Sequence, residues 1–206
     1  MPRREAGCAS LPAPGGRQRR PRLPVVLLAL LGATTLLPAR EGDDPRILDL
    51  QAAESDGSWT VSLRVENAFS EKIDDELRSG LPVTFRYVVE IYRKKGWIRS
   101  RVLTRELEVT ADFDSLTRQY RLTREVDDDV VASSATEKEE EMRRWMTRVE
   151  GLDMGALPSD LPEGPLFVRA KCRLSSGFVG FFFPYSQETG WERIPLPVPG
   201  RTGDPG

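Results

Sequence analysis

From Val83 onward apolar and polar residues alternate. Val83, Phe85, Tyr87, Val89 and Ile91 share one side of an extended chain, and Thr84, Arg86, Glu90 and Tyr92 share most of the other. A period of two belongs to a strand with one buried face, so a long half-buried strand is predicted here. Lys94-Lys95-Gly96 turns it back into Ile98 to Val109, and Ala111-Asp112-Phe113-Asp114 leads into Leu116 to Glu125. Connections this short predict antiparallel pairing. Upstream, Ile47 to Ala53 and Trp59 to Glu66 flank Ser55-Asp56-Gly57-Ser58, a hairpin signal. Phe69, Ile73 and Leu77 then recur every four residues before Gly80-Leu81-Pro82, which predicts a short amphipathic helix with its stop.

Downstream, Asp127-Asp128-Asp129 interrupts the alternation, and Ser134-Ala135-Thr136-Glu137 has the spacing of a capping box. A second helix is expected behind it, with Met142, Trp145, Met146, Val149 and Leu152 on one face and Trp145 packed on the sheet. Pro158, Pro162 and Pro165 mark a loop, after which Leu166, Val168, Ala170, Cys172 and Leu174 alternate with Arg169, Lys171 and Arg173 as a closing strand. The prediction is an α+β fold: a mostly antiparallel β-sheet with two helices on one face, in the order ββαβββαβ, the other face wet. Residues 195–206, rich in Pro and Gly, are expected to be a disordered tail.

The N-terminus changes the picture. Six arginines stand among the first 22 residues against one acid, Glu5, and the apolar run Val25 to Leu37 follows at once. This is the layout of an export signal. Residues 1–39 are therefore expected to be a signal peptide or an N-terminal membrane anchor, and 40–194 a single domain. Whether or not cleavage occurs, arginines resist translocation, which places the domain outside the cytoplasmic membrane, in the periplasm or on that membrane's outer side. Removing residues 1–39 takes Lys plus Arg from 30 to 24 and Asp plus Glu from 32 to 31, a net charge near −7. An acidic domain has no general attraction to nucleic acid or to anionic lipid, and no nucleic acid is expected as a partner. Cys172 is then the only thiol, which excludes an intrachain disulfide and suits a small core residue.

Ser79-Gly80-Leu81-Pro82-Val83-Thr84-Phe85, then Tyr92-Arg93 with Trp97, then Leu116-Thr117-Arg118-Gln119-Tyr120-Arg121-Leu122, in this order and spacing, resembles the bacterial domain of unknown function family 4390. The resemblance runs from about Arg46 to Trp191. It implies an exported envelope protein with no established activity; some members are encoded beside a membrane sensor kinase.

The chain has no histidine, which removes Ser-His-Asp triads and most zinc hydrolase sites. Runs such as Asp127 to Asp129 and Glu137 to Glu141 have the form of solvated acids, and the glycine and spaced oxygen ligands of a calcium loop are missing. No catalytic residue, metal or cofactor is assigned. The binding candidates are inferred from misplacement. Arg105 falls in register with Leu103, Leu107 and Val109, and Arg118 with Leu116, Tyr120 and Leu122. Each either snorkels at a bulge or sheet edge, or meets an anion or a partner. Phe178, Phe181, Phe182 and Phe183 crowd Gly177 to Pro184, with Trp191 close behind, and form either a doubly buried strand or an adhesive edge. Trp97 follows two lysines in a tight turn. The expected function is a non-enzymatic binding or accessory module for another envelope or membrane protein, a membrane sensor among the candidates. A carrier of an apolar or lipid ligand between sheet and helix is the alternative, and a carboxylate-based cell-wall enzyme the third.

Overall fold

The computed structural model describes residues 44–162, 164–176 and 186–197. Residues 1–43, where a signal or anchor was expected, Phe178, Phe181, Phe182, Phe183 and residues 198–206 lie outside the described residues.

Strands β1 (Arg46–Ser55) and β2 (Ser58–Glu66) form the expected hairpin. Its two turn residues, Asp56 and Gly57, both have positive φ (53° and 79°), the geometry that matches strand twist in a two-residue loop. Helix α1 (Glu71–Arg78) starts at Ser70, whose hydroxyl accepts from the Ile73 amide. It ends where Gly80 (φ 75°) lets the Leu81 amide reach the Glu76 carbonyl and the Gly80 amide reach that of Leu77, satisfying the terminal carbonyls.

Strand β3 (Val83–Lys95) pairs along its length with β4 (Ile98–Asp114) on one side and with β8 (Leu166–Ser176) on the other. Val83, Phe85, Tyr87, Val89 and Ile91 on its inner face have no exposure. Beyond β4 come β5 (Gln119–Val126) and β6 (Asp129–Thr136), and beyond β8 come β9 (Ser186–Glu188) and β10 (Glu192–Pro195) on one edge. The large sheet therefore runs β10-β8-β3-β4-β5-β6, with β9 also on β8. Helix α2 (Glu139–Thr147) and strand β7 (Arg148–Gly155) follow β6, and β7 joins β1 and β2 in a second sheet, β1-β2-β7. The inner face of the large sheet, both helices and the second sheet enclose one core. The Phe69 and Phe85 rings are 5.3 Å apart under α1, and the Tyr87 hydroxyl donates to the Met146 carbonyl of α2 at 2.6 Å.

The α+β, mostly antiparallel class with both helices on one face is thus present, and the strand count was too low. Ser134 belongs to β6, so it caps nothing. The helix begins after Lys138, whose amide is held by the Thr136 hydroxyl. Asp127 and Asp128 are the β5–β6 turn, both with positive φ. Val149 and Leu152 lie on β7 rather than on the helix. Their helical spacing of three arises at a bulge, where Gly151 (φ 61°) sits and its amide donates to the Ser62 hydroxyl. Residues 195 and 196 do not belong to a disordered tail, since Pro195 pairs with Phe167 and the buried Leu196 donates its amide to the Leu166 carbonyl. Between β9 and β10, Thr189 replaces a regular pair. Its amide donates to the Cys172 carbonyl and its hydroxyl accepts from the Cys172 amide, both at 2.9 Å.

The outer face of the large sheet is only partly wet. Arg86–Glu108 and Arg173–Glu188 pair across strands, whereas Glu90 is buried under Arg169 (2.6 Å) and Tyr92 stacks on Phe167 at 5.6 Å.

Tyr87→Phe keeps the ring and removes the donor to Met146. A buried carbonyl then loses its partner, which costs about 1–2 kcal/mol. Thermal unfolding is expected to shift down by roughly 2–8 °C for a domain of this size. An unchanged midpoint would mean that another donor already serves that carbonyl.

Candidate cleft and edge strand

Pairing fixes which β5 side chains point inward: Tyr120, Leu122, Arg124 and Val126 stand opposite Phe113, Ala111, Val109 and Leu107. Arg124 is the exception in that apolar row. Its Nη2 donates to the carbonyls of Trp145 and Arg148, both at 2.8 Å, and its guanidinium lies 4.3 Å from the Trp145 ring centre. A helix leaves its last carbonyls without amide partners and carries partial negative charge there, so a cation at that point serves both needs. Among the described residues no carboxylate pairs with Arg124, and burial lowers its pKa from the usual arginine value. Its Nε and the Trp145 Nε1 are buried without a hydrogen-bond partner.

A cleft of about 490 Å³ opens between β7 and the β4-β5-β6 end of the large sheet. Arg105, Arg124, Asp127, Asp129, Glu150 and Asp153 supply its polar lining, and Leu107, Val126, Val131, Val149 and Leu152 its apolar lining. A second depression shares Arg124 and Glu150 and continues past Arg144, Trp145 and Arg148. Arg105 points inward opposite Val89, as its register requires, and its Nη1 is 3.3 Å from Asp127. Asp127, exposed as expected of a solvated acid, also accepts from the Glu106 amide (3.0 Å). Asp153 accepts from the Ser58 hydroxyl and the Gly155 amide, and these bonds, with Arg105 adding a smaller share, hold its pKa below the ordinary carboxylate value.

Arg118 is not an inward strand residue. It lies exposed in the β4–β5 turn with φ 58°, and Leu116 beside it is also exposed. Asp114 accepts from the Leu116 and Thr117 amides and ends β4, so that β5 starts at Gln119 and Arg118 falls before it, while Arg124 keeps the inward phase of Tyr120 and Leu122. Tyr120 is half-buried, its ring 4.8 Å from Phe113, and it lines a small hollow with Arg118 and Glu137. Trp97 stands 91% exposed at the β3–β4 tip. Trp191 lies on the outer face, stacked by Arg169 at 4.1 Å and approached by Lys171 at 5.4 Å. The expected residues thus fall in four separate places. Arg124 was missed, although its position two residues from both Leu122 and Val126 is the same sign that marked Arg105.

Next to the cleft runs β6, which among the described residues pairs with β5 alone. Five residues, Ala132 to Thr136, pair regularly and carry no charge and no proline. At Val131 a bulge ends that run and turns a half-exposed valine to the cleft.

An antiparallel α+β domain with a bare edge strand beside a polar cleft is the class defined by this geometry. The family model described as Domain of unknown function (DUF4390) matches residues 43–179, and the chain belongs to that family. The match covers β1 to β8 and stops before the β9–β10 edge. No curated protein and no solved structure matches the chain.

Because the folded pKa of Asp153 is depressed, its contribution to stability is complete above the unfolded carboxylate range, near pH 4, and disappears as pH falls through the lower folded value. Asp114, held down mainly by the Thr117 and Leu116 amides, acts in the same direction. Melting followed from neutral pH to below pH 4 is expected to fall more steeply for the native chain than for Asp153→Asn; parallel curves would remove Asp153 from the balance.

Proposed function

We propose that this chain is a non-enzymatic binding module of the bacterial envelope that accepts an extended segment of another envelope or membrane protein along β6. The arginine-rich, apolar N-terminal layout supports the location. The observation that carries the binding mode is the uncharged edge from Ala132 to Thr136, paired among the described residues on one side only and ending at a bulge beside the cleft. A bare edge offers alternate amides and carbonyls to an added strand, which gives affinity without sequence preference. The cleft beneath Val131 then offers the Arg105–Asp127 pair with Arg124, Asp129 and Asp153 in its lining to select a polar side chain of the incoming segment. The carrier reading needs space between sheet and helix, and there Tyr87, Met142 and Met146 fill the contact with no exposure.

Adjacent residues of β6 alternate between facing β5 and facing solvent with their amides. Of Ser133→Pro and Ser134→Pro, the variant that removes the solvent-facing amide is expected to keep its melting midpoint while losing photo-crosslinks from a probe at Ala135 in intact cells. The other is expected to unfold more easily. Undiminished crosslinks in both variants would refute strand addition at this edge.

A further inference from the structure

The β3–β4 hairpin ends in a tip whose composition differs from the rest of the surface. From Ile91 to Arg105 there are six cations, Arg93, Lys94, Lys95, Arg99, Arg101 and Arg105, and no acid, in a chain that carries 32 acids. Arg105 is paired with Asp127 and Arg101 lies 3.8 Å from the buried Glu90. Among the described residues Arg93, Lys94, Lys95 and Arg99 have no carboxylate at salt-bridge distance. In an acidic domain, four cations in seven residues with no described carboxylate partner concentrate positive potential at one point.

The apex between those cations is apolar. Gly96 and Trp97 form the two-residue loop joining Lys95 to Ile98, and Gly96 (φ 60°) takes the first position, the one that requires positive φ. The second position accepts any ordinary residue, and it holds a tryptophan that is 91% exposed beside an isoleucine that is 52% exposed. Neither side chain belongs to the core. The tip also projects. β8 pairs with β3 as far as Arg93, where the Lys94 amide still donates to the Pro165 carbonyl, and β5 pairs with β4 only from Leu107 on, so among the described residues the Lys95–Ile98 turn is paired only within its own hairpin.

We propose that this tip docks on an anionic phospholipid surface, with Trp97 and Ile98 entering the boundary between headgroups and acyl chains and Lys94, Lys95 and Arg99 engaging the phosphates. A ring and a branched aliphatic at the apex, with cations set back along the ribbon, reproduce the depth order of a bilayer interface: apolar, then amphipathic, then charged. Each cation near an anionic surface strengthens attachment roughly fivefold at low salt, and the apex adds a salt-insensitive share. A site for single-stranded nucleic acid would instead spread its cations along a groove with several rings to stack on. The proposal concerns a different surface from β6 and stands or falls separately from strand addition there.

The test uses the full chain with vesicles of phosphatidylcholine, with or without phosphatidylglycerol, whose acyl chains are brominated near the carbonyl end. Trp97 is its own probe, because bromine quenches only rings that reach it. Quenching of tryptophan emission is expected in the phosphatidylglycerol vesicles. It is expected to fall at least twofold in Trp97→Phe and in the double variant Lys94→Glu, Lys95→Glu, both with unchanged melting. The comparison with Trp97→Phe removes any quenching that the N-terminal apolar run brings about through the other tryptophans. Equal quenching in Trp97→Phe and the native chain overturns the proposal, as does equal quenching with and without phosphatidylglycerol. A Trp97 response to a single-stranded oligonucleotide but not to vesicles also overturns it.

Discussion

The inner face of β3 places five alternate side chains, Val83 to Ile91, entirely out of water, and the neighbouring strands widen that face into a sheet which must be covered. Burying apolar surface at about 25 cal/mol per Å² is the main stabilising contribution available to a domain without disulfides. The cover has three parts: α1 over Phe85, α2 over Tyr87, and the β1-β2-β7 sheet alongside. Each must bring an apolar face without leaving its own polar ends unsatisfied. Arg124 meets that condition at the most exposed junction. From within the apolar row of β5 it reaches up to the last carbonyls of α2 and to Arg148, where the chain changes from helix to strand. The planar guanidinium lets one nitrogen bond both carbonyls while the plane as a whole lies over the Trp145 ring.

Covering the middle of the sheet leaves its margins. The β10 edge is short and contains Pro195, and Thr189 breaks its pairing, so that edge is blunted in the manner natural sheets use against association. At the other margin β6 has only the bulge at Val131. The end of the β3–β4 hairpin lies beyond the cover altogether, which is why an exposed tryptophan costs the fold nothing there. Core, edge and tip are therefore three separable regions of one chain, with stability concentrated in the first.

Where apolar spacing followed a single period, the elements were legible: the opening hairpin, α1, β3 and β8 all stand where alternation or fourfold spacing put them. Two irregularities hid the rest. The bulge at Gly151 gave β7 the spacing of a helix face, and it extended the expected second helix to Leu152. The Asp114 turn displaced the start of β5 by three residues, which left Arg118 outside the strand, while Arg124, in phase with Tyr120 and Leu122, is the inward arginine of β5. β6 was unreadable for a different reason. An edge strand exposed on most of its surface needs no apolar alternation, and Ser134 in Ser-Ala-Thr-Glu carries the same local signal whether it caps a helix or lies in a strand. The cleft follows from these same elements; Asp127 and Asp129 in its lining are exposed, as their acidic run implied, and only the bond from the Glu106 amide to Asp127 had no sequence signal.

Whether β6 gains a neighbour in the envelope is decided most directly by hydrogen exchange at the amides of Ala132 to Thr136. The purified chain is compared with the same chain held in native envelope fragments. Strand addition predicts that the solvent-facing amides of this run become protected by about tenfold or more, while those already bonded to β5 change little. Exchange at the solvent-facing amides that is as fast in the envelope as in the purified chain would contradict it.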